Sequence, residues 1–192
     1  PKIRLREGGH IHYEVADFVD PWLVPETVVL HHGLGKSGRF WLPWVRLLAP
    51  HFRVVTVDML GNGLSSRPRG HRWSIAGYTA DLLEVLDALA LARVHFVGEA
   101  VGGCIGLQLG ACHASRLLTL TLSACPYRPV RPAGSTGDLK TDSLEIARGG
   151  LQAVTDRELP GRLDWSRYPP EMYEWYRQQR LSASARIVSE QR

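Results

Sequence analysis

Several features are scarce or missing in this sequence, and each absence narrows what the chain can do. No apolar run is long enough to cross a bilayer. No His, Cys, Asp and Glu residues recur at metal-ligand spacing, so neither a metal nor a cofactor is expected. A dinucleotide fingerprint fails because Ser66 stands where the third glycine after Gly61 and Gly63 is required. A phosphate loop fails as well, since Gly35-Lys36-Ser37 is preceded by Leu30 at the place of the earlier glycine. The net charge of +4 is spread along the chain, and its densest basic group, Arg67 to Arg72, falls in a polar loop, so nucleic acid is not an expected partner. There are only three cysteines, Cys104, Cys112 and Cys125, an odd number in apolar surroundings. They read as reduced core residues and point to a cytoplasmic protein. The chain opens on Pro1 without a methionine, so a trimmed N-terminus, and with it secretion, stays open.

What is present suits a globular α/β chain: 192 residues, 44% of them hydrophobic. Lys2 to Glu7 and His10 to Ala16 read as a hairpin joined by Gly8-Gly9, with Ile11, Tyr13 and Val15 alternating against polar neighbours. His10 and His12 share a strand face, which reads as solvated rather than metal-binding. Thr27 to His31 is a β-branched run without alternation, as a strand buried on both faces requires. Gly38 to Ala49 carries a helical face of Phe40, Trp41, Trp44, Val45, Leu47 and Leu48. Phe52 to Val57 is a second buried strand. Ser74 to Leu91 is the clearest helix, with Ile75, Tyr78, Leu82, Val85, Leu86 and Leu89 on one face and Asp81, Glu84 and Asp87 on another. Leu117 to Ala124 reads as a sixth strand. A hairpin followed by β-α-β-α-β-α-β calls for a mostly parallel sheet covered on both faces. Beyond Cys125 the texture changes to a Pro-rich exit through Pro132, then helical stretches at Ser143 to Val154 and Pro170 to Val188.

Between the helix and the last strand lies the most informative stretch, Val94 to Ala114. A short apolar strand runs into Gly98-Glu99-Ala100-Val101-Gly102, and a helix of small and aliphatic residues follows. Glycines two positions either side of a sharply turned residue relieve the collision of strand with helix, and Gly103 and Gly106 let that helix approach the sheet. Taken alone, this fits a tight strand-to-helix turn with packing glycines as well as a functional elbow.

Two upstream segments decide between these readings. His32-Gly33-Leu34-Gly35 ends the first buried strand, and Asp58-Met-Leu-Gly-Asn-Gly-Leu-Ser65 follows the second. In this order and at this spacing, the three motifs resemble the α/β-hydrolase superfamily, and within it the lidded esterase, enol-lactonase and carbon–carbon hydrolase group. The resemblance implies a hydrolase core over residues 1–125 and a helical cap over 126–192, truncated before the last strands. It implies a nucleophile at residue 100, where this chain has Ala100, and an oxyanion hole made by the amides of Leu34 and Val101. Gly33 and Glu99 would border the substrate. The cap aromatics Trp165, Tyr168, Tyr173, Trp175 and Tyr176 would line an apolar cleft, or simply fasten the cap to the core.

The implied chemistry is acyl transfer to a serine from an ester, lactone or related apolar or aromatic small molecule, with a histidine and an acid completing a triad. The only histidine after position 100 is His113, about three helical turns away, and Asp138, Asp142, Asp156 and Asp164 lie in the cap region. No triad acid or base is therefore expected within the chain. As it stands, the chain is expected to be catalytically dead. Three accounts remain open: an engineered Ser-to-Ala change in an active hydrolase, a natural ligand-binding relative, or a true short protein.

Overall fold

The two-residue alternation of the buried strands places the core on both faces of one sheet. The computed structural model describes residues 1–68, 73–125, 139–161 and 163–181. Its strands are β1 (Lys2–Arg4), β2 (His10–Ala16), β3 (Thr27–His31), β4 (Arg53–Val57), β5 (Val94–Glu99) and β6 (Leu117–Ser123). They form a single sheet in the order β1-β2-β4-β3-β5-β6. β1, β2 and β4 pair antiparallel, whereas β4, β3, β5 and β6 run parallel. In β3 every residue is buried, and its alternate side chains feed two cores. Val29 joins Val55, Val57 and Phe96 beneath α2 (Ile75–Ala88) and α3 (Val101–Cys112). Val28 and Leu30 join Val54, Trp41 and Ala49 on the face of α1 (Leu42–Leu48). This is the mostly parallel, doubly covered sheet that the strand and helix order called for.

Several local expectations need correction. β1 stops at Arg4 because Leu5 to Gly9 close a turn, in which Gly8 and Gly9 take positive φ of 96° and 85°. The helix expected from Gly38 begins as a 3-10 turn, Gly38–Trp41, and becomes α-helical only at Leu42, before Pro43 at N1 or N2. Its apolar face is not all core: Trp44 is 55% exposed and Leu47 71%. The cysteines are not core residues either, since Cys112 is exposed and Cys104 and Cys125 are half-buried. In a helix as short and glycine-rich as α3, the sheet-facing stripe belongs to Gly102, Gly103, Ile105, Gly106 and Leu109, and the thiols fall beside it.

The acidic face of α2 also differs. Ser74 caps the helix by accepting from the Gly77 N–H, as its position predicts. Asp81, however, is buried beside Tyr78. Burial, reinforced by the nearby Glu84 and Glu7 carboxylates, pushes its pKa up to about 7. An unfolded chain releases this proton near 3.8, whereas the folded chain keeps it until about 7. Stability from this group is therefore lost as pH rises across that window. Asp81→Asn should melt higher than the parent at pH 8 and indistinguishably at pH 4. Equal melting temperatures at both pH values would show that Asp81 carries no such penalty.

After β6 the described chain resumes in α4 (Leu139–Glu158), which kinks at Gly150 where φ is 70°. It continues to α5 (Pro170–Leu181). Leu151, Val154 and Leu159 are buried here, and Arg180 reaches Glu158 at 3.0 Å. α5 meets the core at the segment after β3: Ser37 Oγ donates to Gln179 Oε1 at 2.7 Å, and the Phe40 and Tyr176 rings meet edge-on. The Pro-rich exit, part of the basic loop and the expected helix end at Val188 lie outside the described residues.

Candidate active site

A non-glycine residue forced to positive φ marks the site. Ala100 sits between β5 and α3 at φ 51° and ψ −115°. Its N–H donates to Ser123 O at 3.0 Å and its carbonyl accepts from Cys104 N–H at 3.1 Å, so both neighbours hold the strained peptide in place. The flanking glycines are required by backbone, not by side chains. A Cβ on Gly98 would overlap the Gly102 carbonyl, and one on Gly102 would overlap His31 O. The end of β3 is therefore in direct contact with the first turn of α3.

That contact delivers the loop after β3 to residue 100. A Cβ on Gly33 would lie 2.9 Å from the Ala100 methyl and 2.6 Å from Glu99 Oε2. The Gly33 N–H donates to Glu99 Oε2 at 3.0 Å, and Lys36 Nζ pairs with Glu99 Oε1 at 2.9 Å. Lys36 is almost fully buried, with its ammonium 3.9 Å from the Phe40 ring centroid and 5.4 Å from that of Tyr176. The next amide, that of Leu34, and the amide of Val101 at the first position of α3 donate to no protein acceptor among the described residues. A first-turn N–H has no partner within its own helix, so Val101 presents a donor by construction.

The turn after β4 braces this loop from below. His32 is fully buried; its Nδ1–H donates to Gly33 O at 2.7 Å and its Nε2 accepts from Met59 N–H at 3.0 Å. Those two bonds fix one neutral tautomer. Asn62 Oδ1 accepts from the Gly35 N–H at 3.1 Å, where Gly35 has φ 72°. Asp58 accepts from Gly38 N–H at 2.6 Å and Leu64 N–H at 2.7 Å. None of these braces was singled out from sequence as a site residue. Asn62 had a visible signal, lying between two turn glycines, whereas Lys36 stood out only as part of a failed phosphate-loop pattern, which says nothing of its pairing with Glu99.

Burial, followed by the charge of His32 and opposed by a hydrogen bond to the His32 carbonyl, lowers the pKa of His31 to about 3. Burial likewise lowers that of His32. Both imidazoles stay neutral in the fold and protonate near 6.5 when unfolded, so their stability contribution is present above 6.5 and lost as pH falls below it. Each costs at most about 1.4 kcal/mol per pH unit. Urea midpoints should fall between pH 7 and pH 5, and His31→Leu should flatten that acid limb; an unchanged slope would refute this account.

Among the residues singled out from sequence, Ala100, Val101, Gly33, Leu34 and Glu99 come together. Trp165 makes ring contacts with Tyr168, Tyr173 and Tyr176, and Tyr176 extends the cluster to Phe40. Trp175 makes no ring contact with this cluster, because it lies one residue from Tyr176 and so on another side of α5. His113 ends α3, exposed, at the helix terminus opposite Ala100. Asp156 pairs with Arg177 and Asp164 bonds Ser166, while Asp138 and the Asp142 side chain lie outside the described residues.

Comparison with known proteins identifies the family of the fold. Residues 26–146 match the family described as alpha/beta hydrolase fold. A protein from Caulobacter vibrioides named "Putative carbamate hydrolase RutD" is 42% identical over 112 residues, 58% of this chain and 41% of that protein. The protein of the same name from Agrobacterium fabrum is 34% identical over 144 residues, covering 74% of this chain and 53% of its own length. The chain thus spans about half or less of these relatives. Among solved structures, the enol-lactonase from Burkholderia xenovorans superposes with a TM-score of 0.85 at 26% identity, over 98% of this chain and 70% of that one.

Proposed function

From the premise that the chain belongs to the alpha/beta hydrolase fold family, we propose that the cleft at Ala100 binds a small carbonyl compound of the ester, lactone or carbamate class and presents it for hydrolysis. The observation that carries this reading is the strained backbone at residue 100, packed against the loop after β3, with the Leu34 and Val101 amides lacking an acceptor among the described residues. The substrate oxygen would lie between the N–H groups of Leu34 and Val101, where one such donor typically contributes about 3 kcal/mol to stabilising an oxyanion. Residues 126–192 act as a cap, with Tyr176 and Trp165 on its cleft side. Gly33 and Glu99 border the carbonyl from below.

A methyl group cannot attack, so this form makes no acyl-enzyme and is inactive by the serine route. The names of the similar proteins, a carbamate hydrolase and an enol-lactonase, support the carbonyl class. The alternative, a ligand-binding protein without turnover, is favoured by Ala100 itself. The full-length Ala100→Ser protein distinguishes the two. A burst of nitrophenol from a short nitrophenyl ester, with an acyl adduct on residue 100, supports the hydrolase; a folded protein without either supports the binder.

A further inference from the structure

Cys104, in the first turn of α3, and Cys125, two residues past β6, are 21 positions apart in the chain, yet their sulfurs lie 4.0 Å from each other. Two local features build this contact. A Cβ on Gly103 would lie 2.7 Å from Cys125 Cβ and 2.9 Å from its Sγ, so the helix comes this close only because residue 103 has no side chain. Ala124 takes φ 48°, a value costly to alanine, and turns the chain so that Cys125 lies over α3. Both thiols are half-buried. The third, Cys112, is exposed and accepts from Gln108 Nε2 at 3.2 Å.

The pair also flanks the bend at residue 100. The Cys104 N–H donates to the Ala100 carbonyl at 3.1 Å, and the Ala100 N–H donates to Ser123 O at 3.0 Å. The two segments that carry the thiols are thus the two that hold Ala100. A disulfide needs its sulfurs about 2.05 Å apart. A change of one χ1 rotamer moves a sulfur by more than the remaining gap of about 2 Å, so closure needs no new fold.

We propose that Cys104 and Cys125 are an oxidisable pair, a modification site for small disulfides of the glutathione class, whose closure staples α3 to the end of β6 and stiffens the bend at residue 100. The Cys125 thiolate attacks one sulfur of oxidised glutathione, forming a mixed disulfide and releasing one glutathione. Cys104 then gives up its proton and displaces the second glutathione. The cysteines lose two electrons, and oxidised glutathione becomes two reduced molecules. Burial first, and then the Cys125 sulfur, push the Cys104 thiol up to about 11. Alone it would therefore react slowly with an oxidant. Its neighbour changes this, because attack on a mixed disulfide held beside it is intramolecular.

The test equilibrates the protein with oxidised glutathione and maps its peptides by mass. Chymotryptic cutting at Leu107 or Leu109 separates Cys104 from Cys112, so the three thiols are read individually. The expected product is a Cys104–Cys125 cross-link, two hydrogens lighter than the separate peptides, that excess reduced glutathione reopens; Cys112 carries only a glutathione adduct. The cross-linked form should melt about 5 °C higher than the reduced one. Its Ala100 amide should exchange hydrogen at least about tenfold more slowly, since that N–H bonds the stapled strand. In Cys125→Ser neither change should follow oxidation, and an unaltered melting temperature of its reduced form verifies the fold. Stable glutathione adducts on Cys104 or Cys125 without a cross-link would overturn the proposal. So would a cross-link that leaves Ala100 exchange unchanged. Neither result depends on whether residue 100 supports hydrolysis.

Discussion

Full-length protein carrying Ala100→Ser should hydrolyse p-nitrophenyl acetate on the order of 10³-fold or more faster than the Ala100 form, since loss of a triad serine costs up to about 10⁶ in turnover. The argument is one of preparation. Raising a side chain on a φ of 51° is the expensive part of an elbow, and the chain already maintains it with two backbone bonds and two obligatory glycines. Serine adds one hydroxyl to a half-buried methyl beside Gly33, so the substitution needs little repacking. The Leu34 and Val101 donors are present before and after the change, and binding of the ester should alter less than turnover does. A hydroxyl without a base remains a weak nucleophile, and none of His31, His32 and His113 serves: the first two are buried and neutral, the third sits at the far end of α3. An Ala100→Ser protein that folds, binds the ester and still forms no adduct would leave ligand binding as the function.

A second large effect is expected at Gly102. Glycine in a helix ordinarily costs about 1 kcal/mol relative to alanine, so Gly102→Ala would stabilise α3 if propensity ruled. Tertiary contact reverses the sign. The added Cβ would overlap the backbone carbonyl of His31 and lie 2.8 Å from that of His32, and a main-chain wall cannot rotate away. The expected loss is about 3 kcal/mol or more, read as a lower urea midpoint or failure to accumulate as soluble protein. Gly161→Ala, where nothing lies within 4 Å, serves as the control and should change stability by less than about 0.5 kcal/mol. If Gly102→Ala proves as mild as its control, β3 and α3 do not touch as described, and the shared cleft is lost with them.

The two substitutions separate what glycine spacing reveals from what it conceals. Gly98 and Gly102 stand out in sequence because nothing else fits where backbone meets backbone, and the position of the elbow was legible from them. Lys36 and Glu99 did not stand out as a pair. They are 63 residues apart, and only the parallel pairing of β3 with β5 brings the ends of those strands together. Asp81 misled for a related reason: helical periodicity assigns it to a polar face with Glu84 and Asp87, but only the Asp81 end of that face is covered in the folded chain, and its pKa is pushed up to about 7 by burial. Cys104 and Cys112 looked like core because their neighbours are apolar, whereas the glycines beside them took the sheet-facing positions.

Residue patterning by itself determined the succession of strands and helices along the chain, the two-sided core and the bend at Ala100, because each depends on local sterics or on apolar periodicity within one element; the order of the strands in the sheet came only with the tertiary structure. Only the tertiary structure decided which loop braces which. The bonds of His32 to Met59, Asn62 to Gly35 and Asp58 to Gly38 join segments separated by 20 to 27 residues. A hydrogen bond acts over about 3 Å, so its partners become evident only once the chain has brought them that close.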